Sequence, residues 1–199
     1  MIVEERMRTY INSLDMGNTP FLEELEKEAL AGRVPIIRKE MQSFLKMFLA
    51  ATRPMKILEV GTAVGFSTLL MCEYGPENLK ITTIENYEKR IPIARENFRK
   101  AGRESQIEFL TGDAGEILKE LTGTYDLIFM DIQMPVMNGY EATAAIRSLP
   151  GEKGKLPIVA MTANAFAEDV QLAKNTGMNG HIAKPLDMNK LNDVLENWL

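Results

Sequence analysis

The chain has 199 residues, of which 45% are apolar and 26% charged, and its formal net charge is -5. This length fits one large domain or two small ones, and the composition is ordinary for a soluble globular protein. The acidic balance argues against a nucleic-acid partner, which needs a basic face to neutralise phosphates, and no apolar run approaches the roughly 20 residues that span a bilayer.

Residues 1–54 form a segment whose patterns are typical of helices. The stretch TPFLEELEKEAL offers Thr19 as an N-cap and Pro20 at the first helical position, followed by acidic residues. The next stretch, PIIRKEMQSFLKMFLAAT, predicts a helix with one buried face. That face comprises Ile37, Met41, Phe44, Leu45, Phe48 and Leu49. We expect this segment to add helices in front of the main fold.

From residue 55 onward, short apolar strands alternate with helices. The predicted strands are MKILEVG, LKITTIE, QIEFLTGD, YDLIFMD, LPIVAMTA and GHIAKP. Pro92 is tolerable only in a first helical turn, so the helix after the second strand should begin near residue 90. The alternation predicts right-handed βαβ units, and no linker rich in Gly, Pro or Ser divides the chain. We therefore predict one α/β domain over residues 1–199, a three-layer Rossmann-like sandwich with a six-stranded parallel sheet of order 3-2-1-4-5-6.

Three acidic residues mark a candidate cofactor pocket at the carboxyl ends of the first three strands. Glu59 precedes a glycine turn with Gly61 and Gly65, where a ligand could approach the backbone. Glu85 ends the second strand, a position that suits a ribose diol, and Asp113 ends the third. Each acid alone is more often a solvated or capping residue. The occurrence of all three acids at the ends of successive strands is stronger evidence for a cofactor pocket than any one of them.

Together with RVPIIRKEM upstream, this pattern in residues 1–131 resembles the small, metal-dependent, catechol-type O-methyltransferases that use S-adenosylmethionine. The resemblance implies a role for each member of a cofactor-binding set. Gly61 and Gly65 would line the methionine part with Ser67 nearby, Glu85 would take the ribose, Asp113 and Ala114 would border the adenine, and Glu59 and Asp131 would complete the set.

The same resemblance implies a metal ligand at Asp131, which ends the fourth strand. In that family the next strand supplies an Asp-Asn pair, and the metal orients the substrate hydroxyl toward the methyl group. This chain departs from the pattern, because Ala163-Asn164 stands where Asp-Asn would be wanted and the later strands and substrate loops are absent. Methyl transfer needs an oriented nucleophile as well as a cofactor, so we expect this half to lack activity.

From about Tyr125 to Leu199 the chain resembles the carboxyl-terminal part of a response-regulator receiver domain of the hybrid sensor kinase type. The resemblance rests on DIQMPVMNGYEA, VAMTANA and HIAKPLD. It implies that Asp131 is the phosphoacceptor, Thr162 the switch hydroxyl and Lys184 the paired cation. A receiver also needs two acids after its first strand to hold Mg²⁺. Here that place is occupied by Gly61-Thr62, so we expect weak or absent Mg²⁺ binding and poor phosphorylation.

Both families have parallel sheets with their sites at the carboxyl ends of strands, so a single strand, YDLIFMD, can serve both. We interpret the chain as a chimera that was made deliberately. It would comprise a helical segment (1–54), a methyltransferase-derived half (55–130) and a receiver-derived half (131–199), with Gly61 facing Asp131. Three functions stay open: residual S-adenosylmethionine binding, a signalling module phosphorylated on Asp131, and a working O-methyltransferase.

The remaining candidates have structural interpretations. Cys72 is the single cysteine, so no intrachain disulfide is available, and we expect a reduced, buried thiol in a cytoplasmic protein. His181, the single histidine, is more often structural than catalytic in such a context. The oligomeric state is open, with a monomer favoured. Neither a Ser–His–Asp nor a Cys–His arrangement is supported.

Overall fold

Strands and helices alternate from residue 56 onward. The computed structural model describes residues 17–131, 139–148, 151–162 and 167–183. The strands are β1 (Lys56–Val60), β2 (Lys80–Glu85), β3 (Ile107–Thr111), β4 (Leu127–Asp131), β5 (Ile158–Thr162) and β6 (Gly180–Ala183). The helices are α1 (Pro20–Ala31), α2 (Lys39–Thr52), α3 (Phe66–Tyr74), α4 (Ile91–Lys100), α5 (Ala114–Glu120), α6 (Gly139–Arg147) and α7 (Ala167–Asn175), with 3₁₀ turns at Glu104–Gln106 and Gly151–Lys155.

The six strands form one sheet in the order β3-β2-β1-β4-β5-β6, and every neighbouring pair is parallel. This confirms the predicted order. The chain moves outward from β1 to β3, returns to the centre at β4, and then moves outward to the other edge. The change of direction lies between β1 and β4, where α/β sheets form their ligand crevices.

Two apolar clusters cover the two faces of the sheet, which makes the three predicted layers. In one cluster the helices α1, α2, α3 and α4 pack against one face of the sheet. This cluster contains all six predicted stripe residues, of which Ile37 lies just before α2. The other joins α5, α6 and α7 to the opposite face. Alternate residues of β1 enter different clusters, Ile57 the first and Leu58 and Val60 the second, as the two-residue period of a strand requires.

The pairing of β1 with β4 joins the two halves of the chain at the centre of the sheet. The register runs from Ile57 opposite Leu127 to Val60 opposite Met130. Just before β4, the Asp126 carboxylate accepts hydrogen bonds from the backbone N–H groups of Met55 (2.8 Å) and Lys56 (2.9 Å). The strand common to both resemblances is therefore paired directly with the first strand of the methyltransferase-like half.

Several local predictions can be compared with these bounds. Helix α4 begins at Ile91, so Pro92 lies in its first turn, as predicted. Strand β3 ends at Thr111. Asp113, which we expected to end this strand, lies beyond it. Residues 1–16 and Lys184 lie outside the described residues. Within the described ranges, no helix combines the length and apolarity needed to cross a membrane.

Candidate functional site

The glycine turn lies between β1 and α3 and rests against the end of β2. The backbone N–H groups of Gly61 and Thr62 both donate to the carbonyl oxygen of Ile84, at 3.0 and 3.2 Å. Gly61 has a φ of 105° and Gly65 a φ of 84°, a range that residues with side chains rarely adopt. The turn thus places successive backbone N–H groups at the carboxyl edge of the sheet.

Gly61 faces Asp131 across the gap between β1 and β4, as predicted. A Cβ atom on Gly61 would lie 2.8 Å from the Cβ of Asp131 and 3.4 Å from its Oδ2. Only a glycine therefore fits beside this strand-end acid. The methyltransferase resemblance includes both residues, the receiver resemblance makes Asp131 its phosphoacceptor, and the fold brings Gly61 and Asp131 into contact.

Gly65 has a packing role that its sequence position did not indicate. A Cβ there would lie 2.5 Å from the Phe98 ring of α4. On the same side, the Asn97 side-chain amide donates to the Val64 carbonyl oxygen at 2.8 Å. Gly65 therefore permits α3 and α4 to approach closely, a requirement separate from any contact with a ligand.

Glu85, the last residue of β2, is buried and accepts a hydrogen bond from the backbone of the glycine turn. Its Oε2 accepts the Ala63 N–H at 2.7 Å, and its Oε1 accepts the N–H groups of Asn86 and Tyr87 at 3.0 and 2.8 Å. Because a carboxylate offers about four acceptor positions, one remains on Oε2. The residue can take one ribose hydroxyl directly. A second hydroxyl would have to displace the Ala63 N–H.

Glu59 is enclosed by hydroxyl groups and does not face a ligand site. Its Oε1 accepts the Ser67 hydroxyl at 2.6 Å, and its Oε2 accepts the hydroxyls of Thr68 (2.5 Å) and Thr83 (2.7 Å). Burial raises the pKa of Glu59, although the three hydroxyl bonds oppose the shift. The Ser67 hydroxyl, which is partly buried, is bound to this carboxylate, and Glu59 itself is fully buried beneath the turn.

Asp113 serves as the N-cap of α5. Its Oδ1 accepts the Glu116 N–H at 3.1 Å, and Ala114 behind it is buried. This is the ordinary capping role of an acid at a helix start, the alternative that its sequence position left open. The cap follows the end of β3 and so lies at the same edge of the sheet as the glycine turn.

The receiver-like candidates lie on β4, on β5 and beyond β6. Asp131 is opposite Met161 in the register, so Thr162 follows it by one position at the same edge of the sheet. Lys184 comes directly after β6 in the chain and lies outside the described residues. Among the residues that the structure describes, no group of three His, Cys, Asp or Glu side chains could hold a metal ion.

Sequence reasoning missed the threonines that surround Glu59. Thr62 and Thr83 place their hydroxyl oxygens 2.6 Å apart, and both side chains are buried. A signal was present in LKITTIE, where the two-residue period of a strand places Thr83 on the same face as the apolar Ile81. A buried hydroxyl needs a partner, which should have pointed to an acid on the neighbouring strand.

Comparison with known proteins finds two overlapping family matches. A model of the O-methyltransferase family matches residues 12–142, and a model of the response regulator receiver domain matches residues 91–196. The two matches overlap over residues 91–142, which include α4, β3, α5 and β4 and therefore the strand common to both resemblances.

Individual relatives fall into the same two groups. A catechol O-methyltransferase of Niastella koreensis is 35% identical over 112 residues, which cover 54% of this chain and 51% of the relative. Hybrid signal transduction histidine kinase G of Dictyostelium discoideum is 34% identical over 122 residues, or 61% of this chain and 4% of the kinase. This chain thus spans about half of that methyltransferase and a small fraction of that kinase.

Solved structures support the methyltransferase likeness of the fold. The SAH-bound methyltransferase PaMTH1 of Podospora anserina is 28% identical, with a TM-score of 0.59. The similar region covers 65% of this chain and 58% of PaMTH1. The shared part is therefore a portion of each protein.

Proposed function

This chain belongs to both the O-methyltransferase family and the response regulator receiver family, and we propose that it is a recombined α/β protein that binds S-adenosylmethionine without transferring its methyl group. In this proposal residues 55–130 derive from a methyltransferase and residues 131–199 from a receiver domain. The helical segment before residue 55 accompanies the methyltransferase part. The join lies within Tyr125–Asp131, the stretch common to both resemblances.

The observation that carries cofactor binding is the bond between Glu85 and the glycine turn. The carboxylate holds the Ala63 N–H at 2.7 Å and keeps one acceptor position on the same oxygen. A ribose hydroxyl bound there would lie beside the turn whose Gly61 and Gly65 have positive φ angles. Asp113 and Ala114 follow β3 and Asp131 ends β4, so all three lie at the carboxyl edge of the sheet, and the similar methyltransferase PaMTH1 is an SAH-bound protein.

The expected lack of turnover rests on the acceptor side of the reaction. A metal-dependent methyltransferase needs ligands that orient the acceptor hydroxyl. In this sequence the strand after β4 continues into Ala163-Asn164 in place of an Asp-Asn pair. Of that pattern the sequence retains Asp131 and Asn164, whereas the acid of the pair is replaced by Ala163. A methyl-transfer assay with a catechol and Mg²⁺ tests this part, and product formation would contradict it.

Titration calorimetry with S-adenosylmethionine and with SAH tests binding. Replacing Glu85 by Ala removes a charge-assisted hydrogen bond worth about 1.5–3 kcal/mol, so the affinity should fall by roughly ten- to a hundredfold. Glu108→Ala is the matched control. Glu108 lies on the edge strand β3, away from the turn, and its carboxylate accepts the Thr82 hydroxyl of β2 at 2.9 Å. Absence of heat from the unmodified chain with millimolar S-adenosylmethionine would refute the proposal.

A phosphoaccepting module is the second candidate, and the receiver match over residues 91–196 favours it. It would use Asp131 as the phosphoacceptor with Thr162 and Lys184. Gly61-Thr62 replaces the acidic pair that would hold Mg²⁺, so we expect no reaction. Intact-mass measurement after incubation with acetyl phosphate and Mg²⁺ tests this: a phosphoryl adduct on Asp131 would make the signalling function the better one.

A further inference from the structure

The hydroxyl cluster around Glu59 is a chain of hydrogen bonds that runs from β1 to the glycine turn. Thr83 donates its one hydroxyl hydrogen to Glu59 at 2.7 Å. The short contact between Thr83 and Thr62, 2.6 Å between their oxygens, must therefore use the hydrogen of Thr62. Thr62 immediately follows Gly61, so the chain of bonds ends within the turn.

The same carboxylate also holds the first turn of α3. Ser67 and Thr68, the second and third residues of that helix, donate to its two oxygens at 2.6 and 2.5 Å. Glu59 thus fixes both ends of the glycine turn from below, its beginning through Thr62 and its end through α3. Glu85 holds the middle of the turn from above, at the Ala63 N–H.

Burial separates the roles of these two acids. Glu59 has no exposed surface, and each of its oxygens accepts at least one hydroxyl. A cofactor at the carboxyl edge of the sheet could not reach it without disrupting α3. Glu85 retains an acceptor position at the edge itself. The strand alternation explains the difference, because Glu59 shares its face of β1 with Ile57, which packs under α3.

We propose that Glu59 is a positioning residue which, through the hydroxyls of Thr83, Thr62, Ser67 and Thr68, holds the glycine turn in the shape that receives the nucleoside cofactor. The cofactor contacts the turn and Glu85 but not Glu59. This inference rests on the proposed binding of S-adenosylmethionine. It implies that part of the affinity for S-adenosylmethionine depends on the buried hydroxyls and not on direct contact of Glu59 with the cofactor.

A pair of substitutions at Thr83 separates hydrogen bonding from packing. Thr83→Val keeps the shape and removes the hydroxyl, whereas Thr83→Ser keeps the hydroxyl and removes a methyl group. If the chain of bonds positions the turn, Thr83→Val should weaken S-adenosylmethionine binding at least about fivefold, because it removes both the bond to Glu59 and the acceptor of the Thr62 hydroxyl. Thr83→Ser should bind like the unmodified chain. Thr143→Val, which removes an equally buried hydroxyl in α6, is the distant control.

Amide hydrogen exchange of the ligand-free protein provides a readout that does not depend on binding. Thr83→Val should lose protection at the amides of residues 61–68 at least about fivefold more than at the amides of β5, because both hydrogen bonds of the Thr83 hydroxyl are lost. Thr83→Ser should not show this loss. If Thr83→Val does not fold, Ser67→Ala removes one partly exposed hydroxyl of the same cluster and should produce the same local loss.

The outcomes distinguish this inference from the proposed function. If the unmodified chain does not bind S-adenosylmethionine, the proposed function fails, and the exchange pattern alone decides whether Glu59 positions the turn. If it binds, and Thr83→Val keeps both its affinity and its protection at residues 61–68, the positioning role is refuted. A loss in Thr83→Ser that equals the loss in Thr83→Val would also refute it, because methyl packing would then be the cause.

Discussion

Replacement of Gly61 by Ala tests the contact on which the joined sheet depends. The new Cβ would lie 2.8 Å from the Cβ of Asp131, closer than two carbon atoms approach in folded proteins. Gly61 also has a φ of 105°, which an alanine rarely adopts. The substitution therefore combines a steric clash between β1 and β4 with backbone strain at the start of the glycine turn.

The magnitude follows from these two contributions. Backbone strain of this kind costs about 1–3 kcal/mol, and forcing an extra methyl group into a packed site costs about 1–3 kcal/mol. We expect Gly61→Ala to lower the free energy of unfolding by about 2–6 kcal/mol, a large part of a typical domain's total of about 5–15 kcal/mol. Gly102→Ala isolates the strain, because Gly102 also has a positive φ (64°) but no atom lies within 4 Å of its Cβ position.

Urea unfolding followed by circular dichroism measures these differences, with the slope m checked for constancy. The steric part is isolated by a double-mutant cycle with Asp131→Gly, which removes the atom that the new methyl group would meet. Contacting residues couple by about 0.5–3 kcal/mol, so the second substitution should restore part of the loss. Additive effects in the cycle, or equal losses for Gly61→Ala and Gly102→Ala, would refute the close pairing of β1 with β4.

Three other side chains give predictions that can be checked independently. The raised pKa of Glu59 means that the folded state binds the carboxyl proton more tightly than the unfolded chain does. The free energy of unfolding should therefore decrease as pH rises above the ordinary value of 4.5 toward the pKa of the folded state. Glu59→Gln should lack this decrease, and parallel pH profiles of the two proteins would contradict the raised pKa. Burial raises the pKa of Cys72 to about 12. Its thiol should therefore resist Ellman's reagent at mildly alkaline pH in the folded protein and react fully in urea. Rapid reaction without urea would place the thiol at the surface. Arg147 donates to three carbonyl oxygens and one side-chain oxygen in the segments that precede β5 and β6. Arg147→Lys should therefore cost about 1–3 kcal/mol in the same urea assay, and an unchanged midpoint would show that this network contributes no stability.

The fold class could be read from the residues alone, because alternating apolar strands and amphipathic helices with right-handed crossovers require a parallel sheet. The strand order was predicted from the two family resemblances, which share the strand YDLIFMD and place it beside the first strand. The contact of Gly61 with Asp131 was predictable for the same reason, because the order places β1 beside β4. The dual family membership was legible because DIQMPVMNGYEA and ILEVGTAVGFS are local patterns that do not require knowledge of packing.

The roles of the acids and glycines at the candidate site depend on contacts between separate elements of the fold. Glu59, Glu85 and Asp113 occupy similar places in the sequence, yet one is enclosed by hydroxyls, one binds the backbone of the turn and one caps a helix. Gly65 is required by the Phe98 ring, which lies 33 positions further along the chain. The physical reason is that a side chain's role depends on which hydrogen-bond donors and which surfaces surround it in space, and those partners come from separate elements whose side chains meet only when the layers pack.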